Sequence, residues 1–306
     1  MRVLVVGLGS IAKKHIAALY QIDPSVELFA LRSNKEAKSW NGITSLYDWN
    51  ELNAYQFDFA IISNPTSDHI PAIRQLFHYR IPLFIEKPLQ SEIVQDCLIS
   101  EVKEAGIITY IGCNLRFHEC LLQVPSLITN HRVNEVNVYC GSYLPDWRPQ
   151  VDYHTVYSAN PEMGGGVHLD LIHELDYIYW LFGYPEGMRK IFSHKSSLEI
   201  CACDYANYLL EYPQYNINII LNYYRRDYKR TLEIVCEDAT YNIDLANDTI
   251  AVNGKLIFSS DKRIIDTYFP QMKYFIDCVQ NHQHSFNSIE DANNVLKICF
   301  GYDTER

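Results

Sequence analysis

Val3-Leu4-Val5-Val6-Gly7-Leu8-Gly9-Ser10-Ile11-Ala12 opens the chain and sets its reading. An apolar run, a glycine turn and a helical pattern over 10–20 follow one another, which predicts strand, tight turn, helix. In that context G-x-G-x-x-G/A is the dinucleotide fingerprint. Gly7 permits the turn, Gly9 lets a pyrophosphate approach the backbone, and Ala12 is small enough for the helix to pack on the strand. Ser10 and Ile11 begin the helix, whose positive end stabilises phosphate charge.

Outward from this turn the pattern repeats. A second strand over 26–31 ends in Leu31-Arg32-Ser33-Asn34. Sites for NAD usually carry Asp or Glu there, to bond the ribose hydroxyls. Arg32 and Ser33 instead suit a 2′-phosphate, which favours NADP over NAD. Arg32 stacked on adenine, or lying in solvent, keeps NAD open. A strand over 58–62 leads into Ser63-Asn64-Pro65-Thr66, where a loop would pass over a bound dinucleotide. Asn64, Pro65, Thr66 and His69 are read as cofactor contacts. Thr66 and Asp68 equally suit helix caps, and His69 a plain residue opening a helix over 68–79.

The next strand, over 83–85, runs into Glu86-Lys87-Pro88. Ligands of open parallel sheets bind beyond the carboxyl ends of strands. Lys87 there can face a substrate, and Glu86 and Lys87 can face the cofactor. Pro88 fixes the backbone, and X-Pro is the setting where a cis bond is cheap. A helix over 91–105 and a strand over 107–111 close the set. Strands alternating with helices predict a parallel α/β sheet.

After Arg116 the texture changes. A helix over 119–129 and a strand over 135–143 precede a loop over 144–161 rich in proline and aromatic residues. A helix over 167–182 follows, then successive alternating strands over 190–258, which predict a mainly antiparallel sheet. Helices over 266–280 and 289–300 end the chain. The expected fold class is α/β. It has an N-terminal Rossmann domain (1–118) with a parallel sheet, and a C-terminal α+β domain (119–306) with a large, open, mainly antiparallel sheet for substrate binding and oligomerisation.

Within the second domain, Gly164-Gly165-Gly166-Val167-His168-Leu169-Asp170-Leu171-Ile172-His173-Glu174-Leu175-Asp176 concentrates chemistry. The glycines bring backbone amides near a ligand at a helix start. On one helix Asp170 and His173 are i,i+3 neighbours, with Asp176 on the other side of His173. A carboxylate orients a histidine ring and raises its basicity, and histidine titrates near neutrality. His173 is therefore the candidate base for an alcohol proton, with Asp170 or Asp176 supporting it.

Composition narrows the partners. There are 26 Lys and Arg against 37 Asp and Glu, a net charge of −11. That disfavours nucleic acid and anionic membranes. No run reaches the ~18 apolar residues of a spanning helix, and the first residues lack a signal peptide's features. A soluble cytoplasmic location is expected. Nine scattered cysteines without a C-x-x-C pair read as buried reduced thiols, and no metal is assigned.

These pieces, in order, resemble the Gfo/Idh/MocA oxidoreductase family, named for glucose–fructose oxidoreductase and inositol dehydrogenase. The resemblance runs over nearly the whole chain: the G-x-G-x-x-A turn with His15, Ser63-Asn64-Pro65-Thr66 with His69, Glu86-Lys87-Pro88, Asn114-Leu115-Arg116-Phe117-His118, and the Gly-Gly-Gly…Asp…His helix. It implies a catalytic lysine at Lys87, often before a cis-proline, and a catalytic histidine at His173. It also implies a C-terminal sheet that forms a homodimer or homotetramer interface. Inositol-dehydrogenase-like members carry an aspartate four residues before the histidine, where this chain has Leu169. Asn114 is expected at the cofactor and Arg116 at the substrate. The loop Leu144-Pro145-Asp146-Trp147-Arg148-Pro149 with Tyr157 resembles members from surface-polysaccharide gene clusters, which act on sugars or nucleotide-linked sugars. Trp147, Arg148, Tyr157 and His168 are the expected substrate contacts. The activity implied is NAD(P)-dependent hydride transfer at a sugar CH–OH. An NAD-dependent glycosidase using transient oxidation and a non-catalytic NADP-binding sensor are the alternatives.

Overall fold

The computed structural model describes residues 1–36, 40–94 and 97–301. Its N-terminal part runs β1 (Arg2–Val6), α1 (Ser10–Ile22), β2 (Glu27–Leu31), β3 (Ile43–Leu46), β4 (Phe59–Ile62), α2 (His69–Phe77), β5 (Leu83–Ile85), α3 (Leu98–Glu104) and β6 (Thr109–Ile111). The six strands pair in the order β3-β2-β1-β4-β5-β6, every pair parallel. The strands read as apolar runs because both faces of such a sheet are covered. Val3, Leu4, Val5 and Ala60, Ile61, Ile62 are wholly or almost wholly buried. Strand order reverses between β1 and β4, the place where ligands of this architecture bind. Gly7 leaves β1 there and Ser63 leaves β4.

Two local readings change. β3 was not expected: Ile43-Thr44-Ser45-Leu46 is short and half polar, and it succeeds as an edge strand by pairing with β2. The helix expected over 91–105 begins only at Leu98. Val94 is held out of it by Asn293, whose side chain accepts from the Val94 N–H (3.1 Å) and donates to its carbonyl (3.2 Å). Residues 95 and 96 of that expected helix lie outside the described residues.

The chain continues with α4 (Glu119–Ile128), β7 (Val133–Tyr143), α5 (Val167–Asp170), α6 (His173–Phe182), β8 (Gly187–Ser193), β9 (Tyr205–Glu211), β10 (Asn216–Asn222), β11 (Tyr224–Cys236), β12 (Thr240–Asp244), β13 (Thr249–Val252) and β14 (Lys255–Ser259). Eight strands pair in the order β14-β13-β12-β11-β7-β10-β9-β8. Only β7 and β10 run parallel; the other pairs are antiparallel. One face is core: Val136, Val138, Ile217, Ile219, Leu232 and Ile234 are buried. Asn137 and Tyr139 alternate with them on the opposite, partly exposed face. The loop over 144–161 is wound into short 3-10 turns.

α7 (Tyr268–Gln280) and α8 (Ile289–Phe300) end the chain. The molecule divides into two units. One is Met1–Asn114 with Asp266–Asn293; the other is Leu115–Ile265 with the chain from Asn294 onward. The sequence reading placed α7 in the second domain. In the structure it belongs to the first, where Phe275 packs edge-on against Phe59 and Phe84 of the parallel sheet. A core contact over such a separation leaves no local trace in the sequence. Among the described residues no helix is long and apolar enough to cross a membrane.

Candidate active site

In the first unit, the turn after β1 is shaped by two glycines for different reasons. Gly7 has φ +87°, and a Cβ there would lie 2.7 Å from the Asn64 Cα. Ser63 closes the same turn, its hydroxyl donating to the Gly7 carbonyl (2.9 Å). Gly9 has φ −81° as the residue before α1, and a Cβ there would meet only the Ser63 carbonyl oxygen, at 4.0 Å. The protein itself does not require glycine at position 9. Its missing side chain leaves space at the N-terminus of a thirteen-residue helix, where phosphate oxygens fit. Ser10 is exposed and Ile11 half-buried at that end, and Ala12 is buried against the sheet.

Beside this turn lies a cavity of about 400 Å³, with Gly7, Arg32, Ser33, Asn64 and Pro65 in its wall. Tyr47 and Trp49 add rings suited to a purine. Arg32 is buried and donates to the Ser45 hydroxyl at 3.3 Å. The Asn64 amide nitrogen donates to the Asp68 carbonyl (3.2 Å). Its oxygen is buried without a hydrogen-bond partner among the described residues. The open space at Gly9, the cavity and this orphaned oxygen fit a dinucleotide.

Thr66 opens a short 3-10 turn. His69 departs from the role expected of it. Its ring is buried, with Nδ1 3.0 Å from the Pro88 carbonyl and Nε2 3.0 Å from the Asn64 carbonyl. Burial holds its pKa below the ordinary value, against the pull of the carbonyls and of Glu86. Both nitrogens face backbone oxygens, so His69 ties two turns together and does not point at a ligand. Asn114 is likewise committed: it is buried, and its amide donates to the Thr267 hydroxyl at 2.7 Å.

Glu86 also faces inward. One carboxylate oxygen is 2.5 Å from His15 Nε2 on α1, and the other accepts the Lys87 N–H at 3.3 Å. Gly112 makes the room, since a Cβ there would lie 2.8 Å from that carboxylate. Lys87 itself is half-buried at the carboxyl end of β5, before a cis bond to Pro88. Its turn is thus pinned on both sides, by His15 through Glu86 and by His69 through Pro88.

In the second unit the expected helix is broken. α5 ends at Asp170 and α6 begins at His173, with Leu171 (φ −98°, ψ 23°) outside helical geometry. Asp170 and His173 therefore do not share one continuous helix. The Asp170 carboxylate accepts the Tyr223 hydroxyl at 2.5 Å; burial, and then this carboxylate, raises the Tyr223 pKa well above normal. The glycines before α5 serve packing. The amides of Gly164 and Gly165 are taken by the Pro161 and Asn160 carbonyls, and a Cβ on Gly165 would lie 2.0 Å from the Tyr157 carbonyl oxygen. Gly164 and Gly165 thus do not offer their amides to a ligand as expected.

Arg116 and Asp176 are also placed differently. Arg116, expected at the substrate, is 2% exposed and donates from Nε (2.9 Å) and Nη2 (2.8 Å) to the two oxygens of Asp176. A fully desolvated bidentate pair of this kind is a structural commitment. Glu174, on the same helix, is paired with buried Arg230, whose Nε (2.8 Å) and Nη2 both donate to its Oε1. His168 turns back on Gly166 and packs with Phe192 (4.8 Å) and Phe300 (5.7 Å). Burial, reinforced by Lys190, lowers its pKa to about 4. Trp147 is 41% exposed and bonds the Ser142 hydroxyl at 2.9 Å. Its ring meets Tyr223 edge-on at 5.4 Å. Arg148 is exposed and Tyr157 half-buried.

The family model for the NAD-binding Rossmann fold of the GFO/IDH/MocA oxidoreductases matches residues 1–110, and that for the GFO/IDH/MocA C-terminal domain matches residues 121–242. The chain belongs to this oxidoreductase family. It is 25% identical to the myo-inositol 2-dehydrogenase of Thermotoga maritima, over all of this chain and 96% of the relative. Among solved structures, the scyllo-inositol dehydrogenase of Lactobacillus casei with bound NAD(H) and scyllo-inositol superposes with a TM-score of 0.79 at 17% identity, over 98% of this chain and 95% of the other. The UDP-N-acetylglucosamine 3-dehydrogenase of Acidithiobacillus ferrooxidans gives 0.78 at 18% identity, over the same shares. These superpositions show the shared fold. The protein is an NAD(P)-dependent oxidoreductase.

Sequence reasoning missed Tyr223, Tyr47 and Trp49. Tyr223 is 53 residues from Asp170, in a chain with 23 tyrosines, and nothing local distinguishes it. Tyr47 and Trp49 follow the unexpected strand β3, so the missed strand hid them.

Proposed function

We propose that the protein moves hydride between nicotinamide C4 and a CH–OH carbon of a sugar or nucleotide-linked sugar, of the kind used in surface polysaccharides. The observation that carries this reading is the Lys87 turn: an amine at a strand's carboxyl end, on a backbone anchored from both sides. The inositol and UDP-sugar dehydrogenases among the similar proteins support the substrate class.

Lys87 holds the reacting oxygen and stabilises the negative charge that develops on it. His173 takes the hydroxyl proton, and Asp170, fixed by Tyr223, supports the histidine. The bound nicotinamide supplies the hydride acceptor. NADP is the preferred cofactor in this reading, because the end of β2 offers Arg32 and Ser33 without a carboxylate. Lys35, close enough to Tyr47 for a cation–π contact at 5.8 Å, adds a second cation there. The partly exposed face of the eight-stranded sheet is the proposed contact of a homodimer or homotetramer, to be checked by light scattering.

The test is nicotinamide turnover with a panel of sugars, inositols and nucleotide sugars. Lys87→Met and His173→Ala should each lower turnover about a hundredfold or more and leave cofactor binding in place. Full activity in either variant would overturn the assignment.

A further inference from the structure

A second cavity, of about 410 Å³, opens in the second unit. Its wall includes Tyr143, Asp146, Trp147, Leu171, Arg226 and Tyr228. Leu171 is the break residue between Asp170 and His173, so the cavity adjoins the segment that carries the proposed base. Trp147 in the wall touches Tyr223, the residue that holds Asp170.

Two arginines line this space and differ in state. Arg230 is buried and neutralised by Glu174. The Arg226 guanidinium sits over the Tyr143 ring, 3.9 Å from its centroid, and donates from Nη2 to its hydroxyl at 3.0 Å. No carboxylate among the described residues is within ion-pair distance of it, Asp146 in the same wall included. Arg226 is itself exposed, and the contact with Tyr143 restricts where its guanidinium can sit. A planar fork of donors matches the paired oxygens of a carboxylate or phosphate. Trp147 offers a face for a sugar ring, and the exposed Asp146 an acceptor for its hydroxyls.

We infer that this cavity binds a sugar bearing an anionic substituent, a carboxylate or a phosphate, and that Arg226 reads the anion. The inference rests on the proposed dehydrogenase reading and adds to it the charge of the substrate. In a chain of net charge −11, such a substrate needs a placed cation, and Arg226 supplies it.

Calorimetric titration of the full chain with paired probes tests this. The pairs are glucose with glucuronate, galactose with galacturonate, and glucose with glucose 1-phosphate and UDP-glucose. At least one anionic member should bind about tenfold or more tightly than its neutral partner. A uronate preference marks a carboxylate substrate, and a preference for the phosphorylated probes marks a phosphate one. Arg226→Gln should remove the preference, Arg226→Lys should restore part of it, and Arg189→Gln on the exposed edge strand β8 should leave it intact. Equal binding of neutral and anionic probes, a preference that survives Arg226→Gln, or no binding of any anionic probe overturns the inference. Turnover measured in parallel separates the two readings. Hydride transfer to neutral sugars without anion preference sinks the inference alone. Arg226-dependent binding with no turnover of any probe sinks the dehydrogenase reading instead.

Discussion

The two units assemble their candidate chemistry in opposite ways. In the first, the key groups sit on turns directly after β1, β4 and β5, and each turn is a contiguous stretch of sequence. In the second, each acid of the α5–α6 segment is answered by a residue far along the chain: Asp170 by Tyr223, Asp176 by Arg116, Glu174 by Arg230. The difference teaches where sequence reading can be trusted. A parallel sheet places functional residues by strand order, which the alternation of elements reveals. The second unit places them by side-chain pairing between elements far apart in the chain, which depends on packing.

The sharpest way to break the comparison is at Arg116. If it is a buried structural partner, Arg116→Ala leaves Asp176 charged and desolvated and costs about 3–5 kcal/mol of stability. Arg116→Met with Asp176→Leu should recover most of that loss. Denaturant unfolding gives the values, and a stable Arg116→Ala protein with impaired substrate binding would return Arg116 to the substrate.

Lys87 is the matching position in the first unit. Lys87→Met should lower kcat by about a hundred- to a thousandfold, about 3–4 kcal/mol of barrier. The melting temperature should hardly change, because the turn is held by Glu86 and Pro88. Loss of folding instead of rate would make Lys87 structural and erase the contrast.

A pH series probes the second unit again. The His168 pKa falls from 6.5 to about 4 on folding, because burial disfavours the imidazolium. The unfolded chain therefore binds the extra proton between about pH 6.5 and 4. Stability drops as pH falls through that window, by a total of about 3 kcal/mol, and is flat above it. His168→Phe, which keeps the packing on Phe192 and Phe300, should remove this part of the slope. Unchanged pH dependence in that variant would show the ring to be solvated.

The smallest effect is expected at Gly9. Gly9→Ala should leave stability intact and weaken cofactor binding about tenfold, about 1.4 kcal/mol. Gly165→Ala should do the reverse, since its Cβ would strike the Tyr157 carbonyl. If both glycines proved to matter only for folding, the reading of the first turn as a phosphate cradle would fail.

Most of the architecture was legible. The strand–helix alternation of the first unit, its Gly7–Ala12 turn and the strand-end position of Lys87 follow from local pattern, as does the mainly antiparallel second sheet. The half-polar edge strand β3 was not legible, and with it Tyr47 and Trp49 were lost. The late start of α3 was hidden because Asn293, 199 residues away, holds Val94. Two residues assigned to ligands, His69 and Asn114, satisfy buried backbone or side-chain groups instead.

By itself the sequence determined the classes of both sheets, the dinucleotide turn and the candidate pair Lys87 and His173. Each depends on periodicity or short spacing, which a chain carries locally. Only the tertiary structure decided that α7 belongs with the first unit, that the helix before His173 is interrupted, and which partner each buried charge has. Those outcomes depend on which side chains are desolvated together. A buried charge must be matched within hydrogen-bond distance, and residues 53, 56 and 60 positions apart meet that demand only once the second unit has packed.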